Sequence, residues 1–232
     1  MRPGTSSHLT ETGSTDLRRG IVRDALGIAV ASGAYAISFG AISTAAGLSL
    51  LQTCALSILM FTGASQFALV GVVGAAGSVW AGAATAALLG SRNTLYGVRL
   101  SSLLDVRGWR RLAAAQFVID ETTAMAIARD EPEQSRFAFW ATGAALFVLW
   151  NTGTLIGAIA THAISDPKVF GLDAAPPAAF LALLAPRLRA REPLAIAIAA
   201  AAVAIAILPF LPAGVPLLVV ALLVSLYGVL KR

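Results

Sequence analysis

Between Asp24 and Arg92 the chain carries no charged residue, and the run is built mostly of Ala, Leu, Val, Ile, Gly and Ser. A helix needs about 20 mostly apolar residues to cross a bilayer, so this run has room for several crossings and none for an ordinary soluble surface. The rest of the chain is similar. Of the 232 residues, 57% are hydrophobic and 12% charged, and the mean hydropathy is +0.79. A soluble domain has about 45–50% apolar and about 25% charged residues. The apolar stretches are apolar on all sides rather than alternating, which selects helices over a barrel, because backbone groups in lipid must be satisfied internally. The expected fold is an all-α integral membrane protein, a polytopic bundle of about seven or eight spans with room for discontinuous helices and an internal repeat.

Charge distribution excludes several functions. The net charge of +5 is almost all arginine, in short clusters at span ends, which is an orientation signal and not a face for nucleic acid. Two histidines and one cysteine, Cys54, supply no zinc set and no disulfide. No G-x-x-x-x-G-K-[ST] loop occurs, and Phe67 spoils the G-x-S-x-G reading of "GASQF". Neither metal nor cofactor is expected, and an enzyme is not. The Ser/Thr/Gly-rich residues 1–17 read as a disordered tail, and residues 18–232 as one transmembrane transport domain.

Spans are expected over about Ala25–Leu48, Leu51–Ala75, Val79–Leu100, Leu112–Ala128, Phe137–Ile164, Pro177–Leu188, Pro193–Leu208 and Val215–Leu230. Arg18, Arg19 and Arg23 place the N-terminus in the cytoplasm. Eight crossings then put the basic loop "DVRGWRR", Asp105–Arg111, on the outer side, against the positive-inside rule. A second span folded back as two half-helices meeting at Gly63 would bring that loop inside. Another odd segment, such as the short fourth span, must then restore the later topology. "GAISTAA" (Gly40–Ala46) also resembles "GAIATHA" (Gly157–Ala163), a faint sign of duplication.

Polar residues inside the spans are few and costly. In "FTGASQFALVG" the amide of Gln66 follows Ser65 and Gly63, and an unpaired buried amide costs about 1–3 kcal/mol. The stretch reads as a helix break whose freed backbone groups, with Ser65 and Gln66, face a substrate cavity; glycine at 63 also suits plain helix packing. In "FVIDETTA", Asp120 and Glu121 would each cost about 2.5–3.5 kcal/mol at the bilayer centre. They serve proton coupling, or they are solvated or salt-bridged in a re-entrant or interfacial segment. Arg92, with Asn93 beside it and Tyr96 one turn on, either clamps a substrate carboxylate, pairs with Asp120 or Glu121, or snorkels from the span end. Asn151 lies next to the small-residue pair Gly153 and Gly157, where it lines the pocket or bonds across a helix interface.

Taken in order, "MFTGASQFALVG", "SRNTLYGVRL", "VIDETTAMA", "FWATGAALFVLWNTGTLIGA" and "FGLDAAPPAAFLALLAPRL" resemble blocks of the AzlC family of branched-chain amino acid exporters. The resemblance extends from roughly Arg18 to Arg189; Asn93 stands where many members have histidine. It implies a secondary transporter subunit in the cytoplasmic (inner) membrane, exporting apolar amino acids with a small AzlD-type membrane subunit. The residues alone require only a polar pocket in an apolar bundle, which suits a zwitterion with an aliphatic side chain. A proton-gradient drive accords with the intramembrane acids and the missing nucleotide motif. The alternatives are a non-transporting assembly or sensor subunit and, further off, an intramembrane enzyme.

Overall fold

In the computed structural model, residues 6–163, 181, 185–212 and 214–231 are described. The described secondary structure is helical, as the apolar runs require: α1 Ser6–Ala45, α2 Leu50–Leu59, α3 Gly63–Gly74, α4 Val79–Gly90, α5 Arg92–Leu104, α6 Trp109–Gln116, α7 Asp120–Ile127, α8 Pro132–Ala163, α9 Arg191–Ile207 and α10 Val215–Leu230. Short 3-10 turns at Ala185–Arg189 and Leu208–Phe210 flank α9. Among the described residues, three segments are long and apolar enough to cross a membrane: Thr15–Ala45, Pro132–Thr161 and Arg191–Phe210. Most of the span expected over Pro177–Leu188 lies outside the described residues. The first helix reaches back to Ser6, into the stretch whose composition suggests a disordered tail; extending an existing helix fixes one residue per bond and is far easier than nucleating one.

Three of the expected spans are interrupted. The second breaks at Met60–Thr62, the third at Ser91 and the fourth at Phe117–Ile119. Gly63 and Gly90 flank the first two breaks, and glycine costs about 1 kcal/mol in a helix interior relative to alanine. Val118 and Ile119, both β-branched, occupy the third break.

The helices divide into two compact units, Met1–Ala36 with Arg92–Gly153, and Ile37–Ser91 with Thr154–Arg232; α1 and α8 each contribute to both. In the first unit, Arg18 pairs with Glu133 at 2.5 Å and Arg129 with Asp24 at 3.3 Å. Ile21 and Ala25 share an apolar cluster with Met125 and Ala138. The Arg136 Nε donates to Leu103 O at 3.0 Å. The Arg18–Ala25 stretch of α1, the end of α5, the end of α7 and the start of α8 therefore lie together. Both ends of the α6–α7 pair are at this level, since Trp109 and Arg110 share a depression with Arg136. Its tip is deep: Phe117 packs on Trp140 and Phe147 and fills the space beside Gly143. Gly143 lies roughly 16 Å along α8 from Pro132 at 1.5 Å per residue, about half of a hydrocarbon core of about 30 Å. The pair is a re-entrant hairpin, and the expected fourth crossing is corrected on that ground: helices of eight residues each are too short to span. "DVRGWRR" thus joins Arg18, Arg129 and Arg136 on one side, the cytoplasmic one by the positive-inside rule.

In the second unit, α2 and α3 form a hairpin from the other end of α1. A Cβ on Gly74, at the end of α3, would sit 3.2 Å from Ala46 Cβ, just past the end of α1. The tip is the Met60–Thr62 break, so the second expected span is the folded-back pair. Helix α4 then runs antiparallel to α3, with Gly82 against Leu69 and Gly90 against the Ser65 hydroxyl. Helices α9 and α10 pair as an antiparallel hairpin whose outer ends are joined by Lys231 and Glu192.

Helices α1 and α8 run parallel and nearly touch backbone to backbone. In the first unit a Cβ on Gly153 would come within 3.1 Å of Ala36 Cβ, and one on Gly33 within 3.0 Å of Leu149 O. In the second unit, a Cβ on Gly40 would lie 2.7 Å from Ala158 N, and one on Gly157 2.7 Å from the Ile37 carbonyl carbon. The two resembling segments play exchanged roles here. Gly40 abuts the Thr154 carbonyl and Gly157 the Ile37 carbonyl, each of these partners lying three residues before the other glycine. Thr44 and Thr161, one turn beyond, each donate to the carbonyl of their own glycine. The likeness of the two segments is thus matched by reciprocal contacts between them.

Candidate functional site

The Phe61 break is built by local bonds. Met60 N donates to Leu56 O and Thr62 N to Met60 O at 2.5 Å, a tight three-residue turn around Phe61. Thr62 then opens α3 without capping it by its side chain. Gln66 is fully buried, and its Nε2 donates to Leu56 O at 3.1 Å. The amide therefore staples the start of α3 to the last turn of α2, which accounts for half of its polarity. Its Oε1, the Ser65 hydroxyl, and the hydroxyls of Thr53 and Thr85 find no hydrogen-bond partner among the described residues. Ser57 and Thr154, unremarked in the sequence, bond to each other at 3.1 Å. Serine and threonine in a run of alanines are their only sequence signal.

The first unit holds the charged residues. Asp120 and Glu121 occupy the first turn of α7 at the hairpin tip, not the middle of a span. There the helix N-terminus favours negative charge by about 0.3–1 kcal/mol. Thr122 shapes the tip: its hydroxyl donates to Phe117 O at 2.5 Å and accepts from Ile119 N at 3.2 Å. Sequence reasoning missed Thr122; its signal was a hydroxyl directly after two acids in an apolar stretch. Arg92 opens α5, and its Nη2 meets Asp120 Oδ2 at 2.6 Å. Of the readings open for Arg92, the structure shows pairing with Asp120. Both side chains keep about a third of their surface exposed, 33% and 39%.

The pair does not exhaust its polar atoms. Arg92 Nε and Asp120 Oδ1 are buried without hydrogen-bond partners among the described residues, as is Asn93 Oδ1. Asn151 donates its Nδ2 to Phe147 O at 2.7 Å, one turn back on its own helix, and leaves Oδ1 buried and unpartnered. Its amide bonds within α8; the neighbouring Gly153 supplies the helix contact. Tyr96 packs against the apolar cluster of Leu100, Leu104 and Phe139. Gly63, Ser65 and Gln66 belong to the second unit, and Arg92, Asn93, Tyr96, Asp120, Glu121 and Asn151 to the first.

Broken helices whose N-terminal ends carry polar side chains, in an all-helical membrane-embedded chain with basic residues gathered on one side, define a polytopic membrane protein of the transporter type. The chain belongs to the AzlC protein family, whose model matches residues 27–164. It is similar to the inner membrane protein YgaZ of Escherichia coli strain K12, with 29% identity over 182 residues, covering 75% of this chain and 74% of that protein. No solved structure matches the chain.

Proposed function

We propose that the chain is the large subunit of a secondary transporter that exports branched-chain and similar apolar amino acids across the inner membrane. The observation that carries this reading is the Arg92–Asp120 pair between two half-helix N-termini, with Nε and Oδ1 left over. A zwitterion offers both charges that such a pair can exchange for. Its carboxylate takes the Arg92 fork and its ammonium takes Asp120, with the amide oxygens of Asn93 and Asn151 as further acceptors. Protonation of Asp120 or Glu121 removes a counter-charge of Arg92 and of the bound ammonium, and this couples substrate release to the proton gradient. Ser65 and Gln66 at the α3 break are the polar group that the second unit offers to the substrate. No catalytic role is assigned to any residue.

An AzlD-type subunit completes the transporter. Helix α9 has no buried residue and is apolar beyond Arg191 and Glu192, which suits a membrane partner as well as lipid. The test is efflux of labelled leucine, isoleucine and valine from cells expressing both subunits, with wild type, Asp120→Asn and Glu121→Gln. Gradient-dependent efflux is expected, with Asp120→Asn impairing it more than Glu121→Gln. Absence of efflux of any apolar amino acid, or equal and negligible effects of the two variants on its pH dependence, would overturn the reading.

A further inference from the structure

At the cytoplasmic end of the first unit, the loop after α5 and the start of α6 form a depression with α8. Its polar lining is Arg107, Arg110, Arg136 and Asp105, and Trp109 and Trp140 form its apolar walls. The volume is about 580 Å³. The Arg136 guanidinium is fixed through its Nε bond to Leu103 O, which leaves its terminal nitrogens available. Trp140 is held edge-on by Phe117 and Phe139, so that wall is rigid. Arg107 and Arg110 form no salt bridge among the described residues, and the lining holds three guanidiniums against one carboxylate. Gly108, at φ 59°, turns the chain between Arg107 and Arg110. Three guanidiniums against one carboxylate leave the depression net positive, which favours an anion there.

The surroundings identify which anion. Trp109 and Leu112, three residues apart on α6 and hence on one face, are 75% and 77% exposed. An indole, with the Arg110 guanidinium over its ring, and an isobutyl group stand beside arginines that form no salt bridge, at the level where the positive-inside rule places the inner headgroups, and they match an amphiphile with a negative head. We propose that this depression binds the phosphodiester headgroup of an anionic phospholipid from the cytoplasmic leaflet. The phosphate lies among Arg107, Arg110 and Arg136, and the acyl chains run along Trp109 and Leu112. The site is separate from the Arg92–Asp120 pair and does not depend on any transported substrate.

The test compares purified full-length protein with phosphatidylglycerol, phosphatidylcholine or inorganic phosphate, reading lipid retention by native mass spectrometry and the unfolding midpoint. Wild type is expected to retain phosphatidylglycerol selectively, with protection that falls as salt is raised. R107Q/R110Q is expected to weaken that retention by roughly ten- to thirty-fold, from two basic contacts near an anionic headgroup, while its midpoint in phosphatidylcholine stays that of wild type. Equal retention of the two lipids, unchanged retention in the double variant, or equal protection by inorganic phosphate overturns the assignment. If R107Q/R110Q also lowers the midpoint in phosphatidylcholine, the selectivity of the wild type decides alone.

Discussion

Gly157→Ala should loosen the α1–α8 seam, and the size of the effect follows from the geometry. A Cβ at position 157 arrives 2.7 Å from the Ile37 carbonyl carbon and nearer still to its oxygen. Carbon–carbon contacts are optimal at about 3.5–4.0 Å, so the helices must separate locally by at least about 1 Å. A gap of that size forfeits a quarter to a half of the dispersion energy of the atoms it parts. Overpacking of this kind costs about 1–3 kcal/mol, and alanine's better helix propensity returns at most about 1 kcal/mol. Gly27→Ala is the control: it lies on α1 with nothing within 4 Å of a new Cβ, so it should be neutral or slightly stabilising. Gly40→Ala should mimic Gly157→Ala, and the double variant should cost less than the two costs added, because helices already parted accept the second methyl more easily. The assay is the unfolding midpoint of purified protein in a fixed detergent. If Gly157→Ala and Gly27→Ala move the midpoint equally, the close approach of the two helices is not what these glycines provide.

Three further outcomes are expected. In a double-mutant cycle of Arg92→Gln and Asp120→Asn, the stability coupling should be about 0.5–3 kcal/mol, with a value near zero removing the ion pair from consideration. Thr122→Val should destabilise by about 1–3 kcal/mol, since Ile119 N and Phe117 O at the hairpin tip lose their partner; a shift in midpoint within error would mean the hydroxyl does not hold the tip. Gln66→Leu removes the bond to Leu56 O together with the unpartnered Oε1, so stability should change by no more than about 1 kcal/mol while transport is lost. Retained transport in Gln66→Leu would confine Gln66 to stapling α2 to α3.

The class of fold was legible because lipid leaves so few solutions: uncharged runs of span length can only be helices. The break at Gly63 was legible too, from a glycine beside two polar residues. The break at Phe117–Ile119 was not, because neither glycine nor proline marks it, and Val118 and Ile119 are common inside membrane helices. What makes the turn there is Thr122 bonding back to Phe117 O, a contact between residues that look unremarkable apart. The topology conflict over "DVRGWRR" was the sequence's own evidence for that hairpin. It required an odd segment without saying how the chain turned. Arg92 and Asp120 were each visible as costly residues, whereas their pairing depends on two half-helix ends meeting, which spacing along the chain cannot give.

The position of that pair bears on its strength. Asp120 sits at the N-terminus of α7, where the dipole stabilises it by about 0.3–1 kcal/mol. Arg92 lies between the C-terminus of α4, which favours a cation, and the N-terminus of α5, which opposes one. The two helix ends beside Arg92 therefore act in opposite directions, and Asp120 is the charge that holds it. Asp120 has two supports, its own helix end and Arg92, whereas Arg92 has one. Removing Asp120 should therefore disturb Arg92 more than removing Arg92 disturbs Asp120, and the double-mutant cycle reads that asymmetry in its two single variants.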